Sequence, residues 1–152
     1  MNRNTKPLLD VFVPCIPPKA TKQNTHIIKL RNKSGKEFYS LKSDKSVKHA
    51  SGTILDLFKE YAPKEIIDFP VAVRIEFKFP FRKNEKKADL ANGAMWCETR
   101  PDLDNLSKLF IDAISPVFLK DDALVVRLHV SKARTHKPGI RLAIVKASVE
   151  EI

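Results

Sequence analysis

The sequence predicts an α+β fold: a single mixed, mostly antiparallel sheet with two main helices packed on it. Three observations lead there. "VAVRIEFKF" (71–79) alternates apolar and charged residues with period two, the pattern of a half-buried strand. Two windows, 44–61 and 102–117, repeat apolar residues at helical spacing. Strand-like runs stand near both ends of the chain, with Gly and Pro between the segments.

In order, "LLDVFVPCIP" (8–17) reads as the first strand. Pro17-Pro18 closes it, because a residue before proline is driven out of the helical region. "THIIKLRNKSGKEFYSLKS" (25–43) reads as a hairpin turned at Gly35, which can take positive φ. The first helix is expected over 44–61 through Val47, Ala50, Ile54, Leu57, Phe58 and Tyr61, capped by Ser43 and ended by Ala62-Pro63. After the 71–79 strand comes a connection over 80–99, with a short helix expected over 85–92 and closed by Gly93. The second helix starts near Asp102 and buries Leu103, Leu106, Phe110, Ala113, Ile114 and Val117, with Pro116 marking its end. "DALVVRLHV" (122–130) and "GIRLAIVKASV" (139–149) read as the last two strands.

A chain of 152 residues is the size of one domain, 1–152, and can bury a core without disulfides or metal staples. Its 43% apolar and 30% charged residues suit a soluble globular protein. No apolar run is long enough to span a bilayer, and the N-terminal stretch lacks the apolar region of a signal peptide. A cytoplasmic location, without membrane attachment, is therefore expected. Cys15 and Cys97 are isolated, and His26, His49, His129 and His136 show no metal-ligand spacing.

Net charge is +10, and it is uneven. Residues 19–48 hold nine Lys or Arg against two Asp or Glu, and "FRKNEKK" (81–87) is a second basic cluster. Such stretches are commonly solvated faces. In a chain this basic they point instead to a polyanion, and nucleic acid is the leading candidate. The candidate contacts are Lys19, Lys22, Lys29, Arg31 and Lys33, then Arg82, Lys83, Lys86, Lys87 and Arg100. No basic amphipathic helix suggests a membrane surface.

Against this charge, five aspartates fall within residues 100–122: Asp102, Asp104, Asp112, Asp121 and Asp122. Taken singly, each has an ordinary structural reading as a helix cap, a dipole partner or a turn residue. The combination strains that reading. Asp102 and Asp104 flank Leu103, and only one of them can be the N-cap. Asp104, Lys108 and Asp112 recur at i, i+4 and i+8 as a polar stripe. If the last strands alternate from Asp122, that carboxylate shares a buried face with Leu124, Val126, Leu128 and Val130 and is costly unless paired or metal-bound. All-carboxylate ligation without His or Cys favours Mg²⁺, with Mn²⁺ possible. In a basic protein such an ion suits a phosphodiester, with Lys108 placed to hold transition-state charge.

"RPDLDNLSKLFIDAI", followed by "KDDALVV" and "VSK", resembles the RusA-type Holliday-junction resolvases of phages, prophages and bacteria. The resemblance implies a homodimeric, Mg²⁺-dependent endonuclease that resolves four-way DNA junctions by paired symmetric nicks, with no small-molecule cofactor. It implies Asp102, Asp104 and Asp122 as metal ligands and Lys108 as the catalytic lysine. The arm after Pro17-Pro18 departs from the family pattern in lacking an Asn-Arg pair, and Trp96 stands where small polar or basic residues are common. Trp96 has two readings: stacking on a base at an opened junction, or packing against the sheet or a partner subunit. Two other functions remain open: a non-catalytic DNA-binding protein of the same fold, and a different metal-dependent nuclease acting on flaps or RNA.

Overall fold

The computed structural model describes residues 6–19, 25–31, 35, 37–43 and 45–149. The elements run β1 (Leu9–Pro14), β2 (Thr25–Arg31), β3 (Glu37–Ser43), α1 (Lys45–Phe58), β4 (Val71–Pro80), α2 (Lys87–Ala91), β5 (Ala94–Trp96), α3 (Leu103–Phe118), β6 (Val125–Thr135) and β7 (Gly139–Lys146). Five strands form one mixed sheet in the order β1-β7-β4-β6-β5. Only the β4–β6 pairing is parallel. The fold is α+β, as the sequence predicts. The hairpin β2–β3 forms with Thr25 opposite Ser43, but as a separate two-stranded ladder.

β4 is the centre of the sheet because its alternation is complete. Val71, Val73, Ile75, Phe77 and Phe79 are all buried, facing the helices. Phe110 of α3 meets Phe77 edge-on at 5.8 Å and Phe58 of α1 edge-on at 5.0 Å. One aromatic chain therefore ties the sheet to α3 and α3 to α1, in the geometry that ring quadrupoles prefer.

β6 and β7 follow one another in sequence but do not pair; β4 lies between them. The connection over 136–138 crosses the end of β4, where Pro80 faces Thr135 and Lys78 faces Gly139.

Several expectations are corrected. Ser43 is the last residue of β3, and residue 44 lies outside those described, so Ser43 is not assigned as the cap of α1. α1 ends at Phe58 and tightens into a 3₁₀ turn over Lys59–Tyr61, after which Ala62 is extended ahead of Pro63. The short helix α2 closes at Gly93, whose φ is +75°. Ala94–Trp96, expected within the 80–99 connection, pairs with β6 as an edge strand. Pro116 does not end α3; the helix continues to Phe118. Phe118 is wholly buried, and Leu119 N–H still reaches the Ser115 carbonyl at 2.9 Å, which holds the last turn together despite the missing donor.

The alternation inferred from Asp122 is also corrected. Residues 122–124 form a 3₁₀ turn, so the strand begins at Val125. Register then slips: Val71 faces Val125, but Ala72 faces Arg127. The extra residue, Val126, is 59% exposed. A bulge of this kind inserts one residue and reverses the alternation before it. Leu128 and Val130, opposite Val73 and Ile75, thus share the helix side with Val125, and Asp122 is exposed at the strand's mouth.

The face of the sheet away from α1 and α3 carries Asp10, Phe12, Arg74, Glu76, Lys78 and Arg141. The Arg141 guanidinium donates two hydrogen bonds to the Asp10 carboxylate, each 2.8 Å. That pair holds the Asp10 carboxyl below its ordinary pKa. Because the folded value is depressed, the stabilisation is present above the unfolded value, about 3.9, and is lost as pH falls through the folded one. Asp10→Asn should cost under about 1 kcal/mol at neutral pH, since both partners are partly wet. Its unfolding curve should merge with that of wild type in acid; a gap that persists at low pH would refute the linkage.

Gly139 has a steric reason. An added Cβ would lie 2.4 Å from Phe12 Cζ and 2.7 Å from the Val13 carbonyl oxygen. The Phe12 ring therefore lies flush over β7. No described helix is long and apolar enough to cross a membrane.

Candidate active site

α3 presents the motif because its apolar residues point one way. Leu106, Leu109, Phe110, Ala113 and Ile114 are buried, while Asp104 and Lys108 are exposed on the other side. Asp112 completes the stripe and is half-buried. Ser107, inside the helix, donates from Oγ to the Asp104 carbonyl at 2.7 Å.

The helix begins at an unusual cap. Asp102 occupies the N-cap position with extended backbone, and its carbonyl accepts from Leu106 N–H at 3.0 Å. Its side chain accepts no capping hydrogen bond. The ordinary structural role of an N-terminal aspartate is therefore unfilled, and a half-buried carboxylate is left for another partner. Asp104 lies in the first turn, touched only weakly by Asn105 at 3.4 Å.

The Asp-Asp pair divides its work. Asp121 Oδ1 accepts from Ala123 N–H at 2.8 Å and anchors the turn. Asp122 is the member that lines a cleft of about 260 Å³, together with Ser107, Lys108, Ile111, Asp112, Val125 and Leu128. The structure thus brings Lys108 and Asp122 to one cleft from two elements. Asp122 and not Asp121 lines that cleft, although the alternation expected from Asp122 does not hold, because the bulge reverses the face.

The segment leading into α3 is held from β6. Lys132 Nζ donates to the Thr99 carbonyl at 2.8 Å and to the Pro101 carbonyl at 2.7 Å. Arg134 donates to Thr99 Oγ1 at 3.0 Å and to the Pro80 carbonyl at 3.0 Å, and pairs with Glu85 at 3.4 Å. Arg82 also donates to Thr99 Oγ1, at 2.7 Å. Sequence reasoning named Lys132 only within "VSK" and passed over Arg134. The signal was available: once the bulge is placed, both cations alternate with Val130 onto the helix-facing side, where a charge needs partners. Lys132→Met should cost about 2–3 kcal/mol, because two charge-assisted bonds go and two carbonyls lose their donor. Denaturant midpoints measure this, and a loss under about 0.5 kcal/mol would contradict the anchoring role.

The basic candidates separate. Arg100 is exposed two residues before Asp102, and Arg82, Lys83, Lys86 and Lys87 are exposed along the connection that Thr99 joins. Lys19 is exposed beyond Pro18. Lys29 and Arg31 both pair with Glu37, at 2.5 and 2.9 Å, which tempers their charge. Lys22 and Lys33 lie outside the described residues.

The three carboxylates suit a hard divalent cation by chemistry. Among the described residues, however, no three His, Cys, Asp or Glu side chains are gathered as a metal-holding group. Mg²⁺ does not require such a cage; it commonly takes one or two carboxylates, with water and substrate phosphate completing its shell. The residues therefore fit a site completed by DNA better than a preformed three-carboxylate cage.

The cleft thus joins a lysine of α3 to a carboxylate of the next turn, and comparison with known proteins supplies the class. The sequence profile described as Endodeoxyribonuclease RusA matches residues 16–145. This chain belongs to the RusA endodeoxyribonuclease family. It is also 32% identical over 94 residues to "Uncharacterized protein YqaN" of Bacillus subtilis (strain 168), a match covering 59% of this chain and 66% of that protein.

Proposed function

We propose that this chain is a Mg²⁺-dependent, structure-specific endonuclease that resolves four-way DNA junctions by paired symmetric nicks. It would act as a homodimer in the cytoplasm, in recombination and repair. The observation that carries this reading is the cleft that Lys108 of α3 and Asp122 of the following turn line together. Family membership supports DNA cleavage; branched-DNA specificity and two-fold action extend it. A dimer suits the substrate, because a four-way junction has near two-fold symmetry and two sites can address opposed strands.

Asp102, Asp104 and Asp122 are the carboxylates that would hold the ion, one or two of them directly, with water and substrate phosphate completing its shell. When bound, it lowers the pKa of its water and offsets charge on the phosphate. Lys108 lines the cleft, and its ammonium suits a non-bridging phosphate oxygen, whose charge grows as phosphorus is attacked. Arg100, Arg82 and their neighbours hold the strand by its backbone.

The decisive experiment incubates the protein with a four-way junction, a flap, linear duplex and RNA, with and without Mg²⁺ or Mn²⁺. Two symmetric nicks on the junction, only with metal, are expected. Binding without cutting would favour the non-catalytic reading, and preferential cutting of flap or RNA a different nuclease. Affinity should fall about 10³-fold or more between 50 and 200 mM salt if six or more phosphates are neutralised. A flat response would remove the electrostatic argument.

A further inference from the structure

The sheet face away from α1 and α3 carries a row of side chains that the cleft does not use. Trp96 on β5 stands opposite Ala133 on β6. Ala133 stands opposite Lys78 on β4, and Lys78 opposite Gly139 on β7. The Phe12 ring of β1 occupies the space over Gly139. Residues paired across neighbouring strands project from the same face, so Trp96, Ala133, Lys78 and Gly139 belong to one row about 14 Å long. It reads aromatic, small residue, cation, small residue, with the Phe12 ring over the last.

The chemistry of the row is unbalanced in a way that fits a nucleic-acid strand. Trp96 is 71% exposed, beside the small Ala94 and Ala133. Its indole is not buried on the sheet, which leaves stacking on a base or packing against a partner subunit. Lys78 Nζ lies 5.3 Å from the Phe12 centroid and 3.4 Å from Glu76. Beyond it, Phe12, Lys78, Gly93, Thr135, His136 and Lys137 line a pocket of about 440 Å³ with no acidic side chain in its wall. Two lysines beside an aromatic ring and a bare indole are the parts that bind single-stranded or distorted DNA: charge for the backbone, rings for the bases.

We propose that this face is a second DNA-contact surface. It takes a nucleotide of a strand other than the one being cut, with its base on Trp96 or Phe12 and its phosphates on Lys78 and Lys137. The inference rests on the reading that the substrate is DNA. The catalytic cleft lies on the α3 side of the sheet, and this row lies on the opposite side. A short linear duplex cannot engage both sides, whereas two arms of a branched molecule can. The surface therefore contributes to the preference for branched over linear DNA.

Trp96 is the only tryptophan in the chain, so its fluorescence reports on this face alone. A four-way junction titrated into the protein in EDTA should quench it. Lys78→Met combined with Lys137→Met should weaken junction affinity about ten-fold and lower the slope of log affinity against log salt by about 1.5–2. Affinity for a short duplex should change less, and turnover at saturating junction should stay within about two-fold of wild type. Trp96→Ala should weaken junction binding about ten-fold. Junction binding with unmoved Trp96 emission, or an unchanged affinity in the double variant, would overturn the proposal and leave the endonuclease reading intact. Emission that is shielded from iodide without DNA and changes with protein concentration would assign the face to a second copy of the chain, and again overturn it. Failure of the wild type to bind any DNA would sink both readings together.

Discussion

Asp102→Asn and Asp122→Asn should each abolish cleavage while leaving junction binding intact or tighter. Asparagine keeps the shape of aspartate and removes one negative charge. Loss of a carboxylate that holds a divalent ion removes several kcal/mol of transition-state stabilisation, so a fall of about 10³-fold or more in cleavage rate is expected. Binding moves the other way, because an acidic group near phosphate is gone. The neighbour supplies the control. Asp121 anchors a turn through Ala123 N–H, a bond that an asparagine oxygen can also accept. Asp121→Asn should therefore cut at a rate within about ten-fold of wild type. Asp121→Ala should lose about 1 kcal/mol of stability with the turn. Single-turnover cleavage, with binding measured separately in EDTA, distinguishes these cases. Normal cutting by either Asp102→Asn or Asp122→Asn would remove that residue from the site. Equal losses at Asp121 and Asp122 would show that the division of labour is wrong.

Phe110→Ala should be among the most damaging core substitutions in α3, the helix that carries Lys108. Phe110 is wholly buried and meets both Phe58 and Phe77 edge-on. Its removal leaves a cavity where sheet, α3 and α1 join, at a cost of about 3–5 kcal/mol. Typical domains hold only about 5–15 kcal/mol, so a large part of the stability would go. Lys108 and Asp104 ride on the same helix and Asp102 stands at its N-cap position, so cleavage should fall with the folded fraction. Phe110→Leu, which keeps much of the volume, should recover most of both. Urea unfolding gives the measure, and a loss under about 1 kcal/mol would show that the three rings are not a structural joint.

Much of this protein was legible in the sequence because local patterns suffice for local structure. The charged-apolar alternation of 71–79 and the helical spacing of Leu106, Phe110, Ala113 and Ile114 each impose one buried face. They require no knowledge of distant residues. Gly93 likewise announces its turn, since its φ is +75°. Membership of the RusA family was legible too, from the "RPDLDNLSK" and "KDDALVV" stretches.

Other features were decided only when the chain folded. The bulge at Val126 depends on how β6 meets β4, and it reverses which residues face the helices. The edge strand at Trp96 exists only because β6 is there to pair with it. The insertion of β4 between β6 and β7 cannot be read from their short connection. The unfilled cap at Asp102 and the turn anchor at Asp121 look alike in sequence, for both are aspartates before a helical turn. Periodicity tells a residue which way to point. Which partner it meets is set by contacts between segments far apart in the chain.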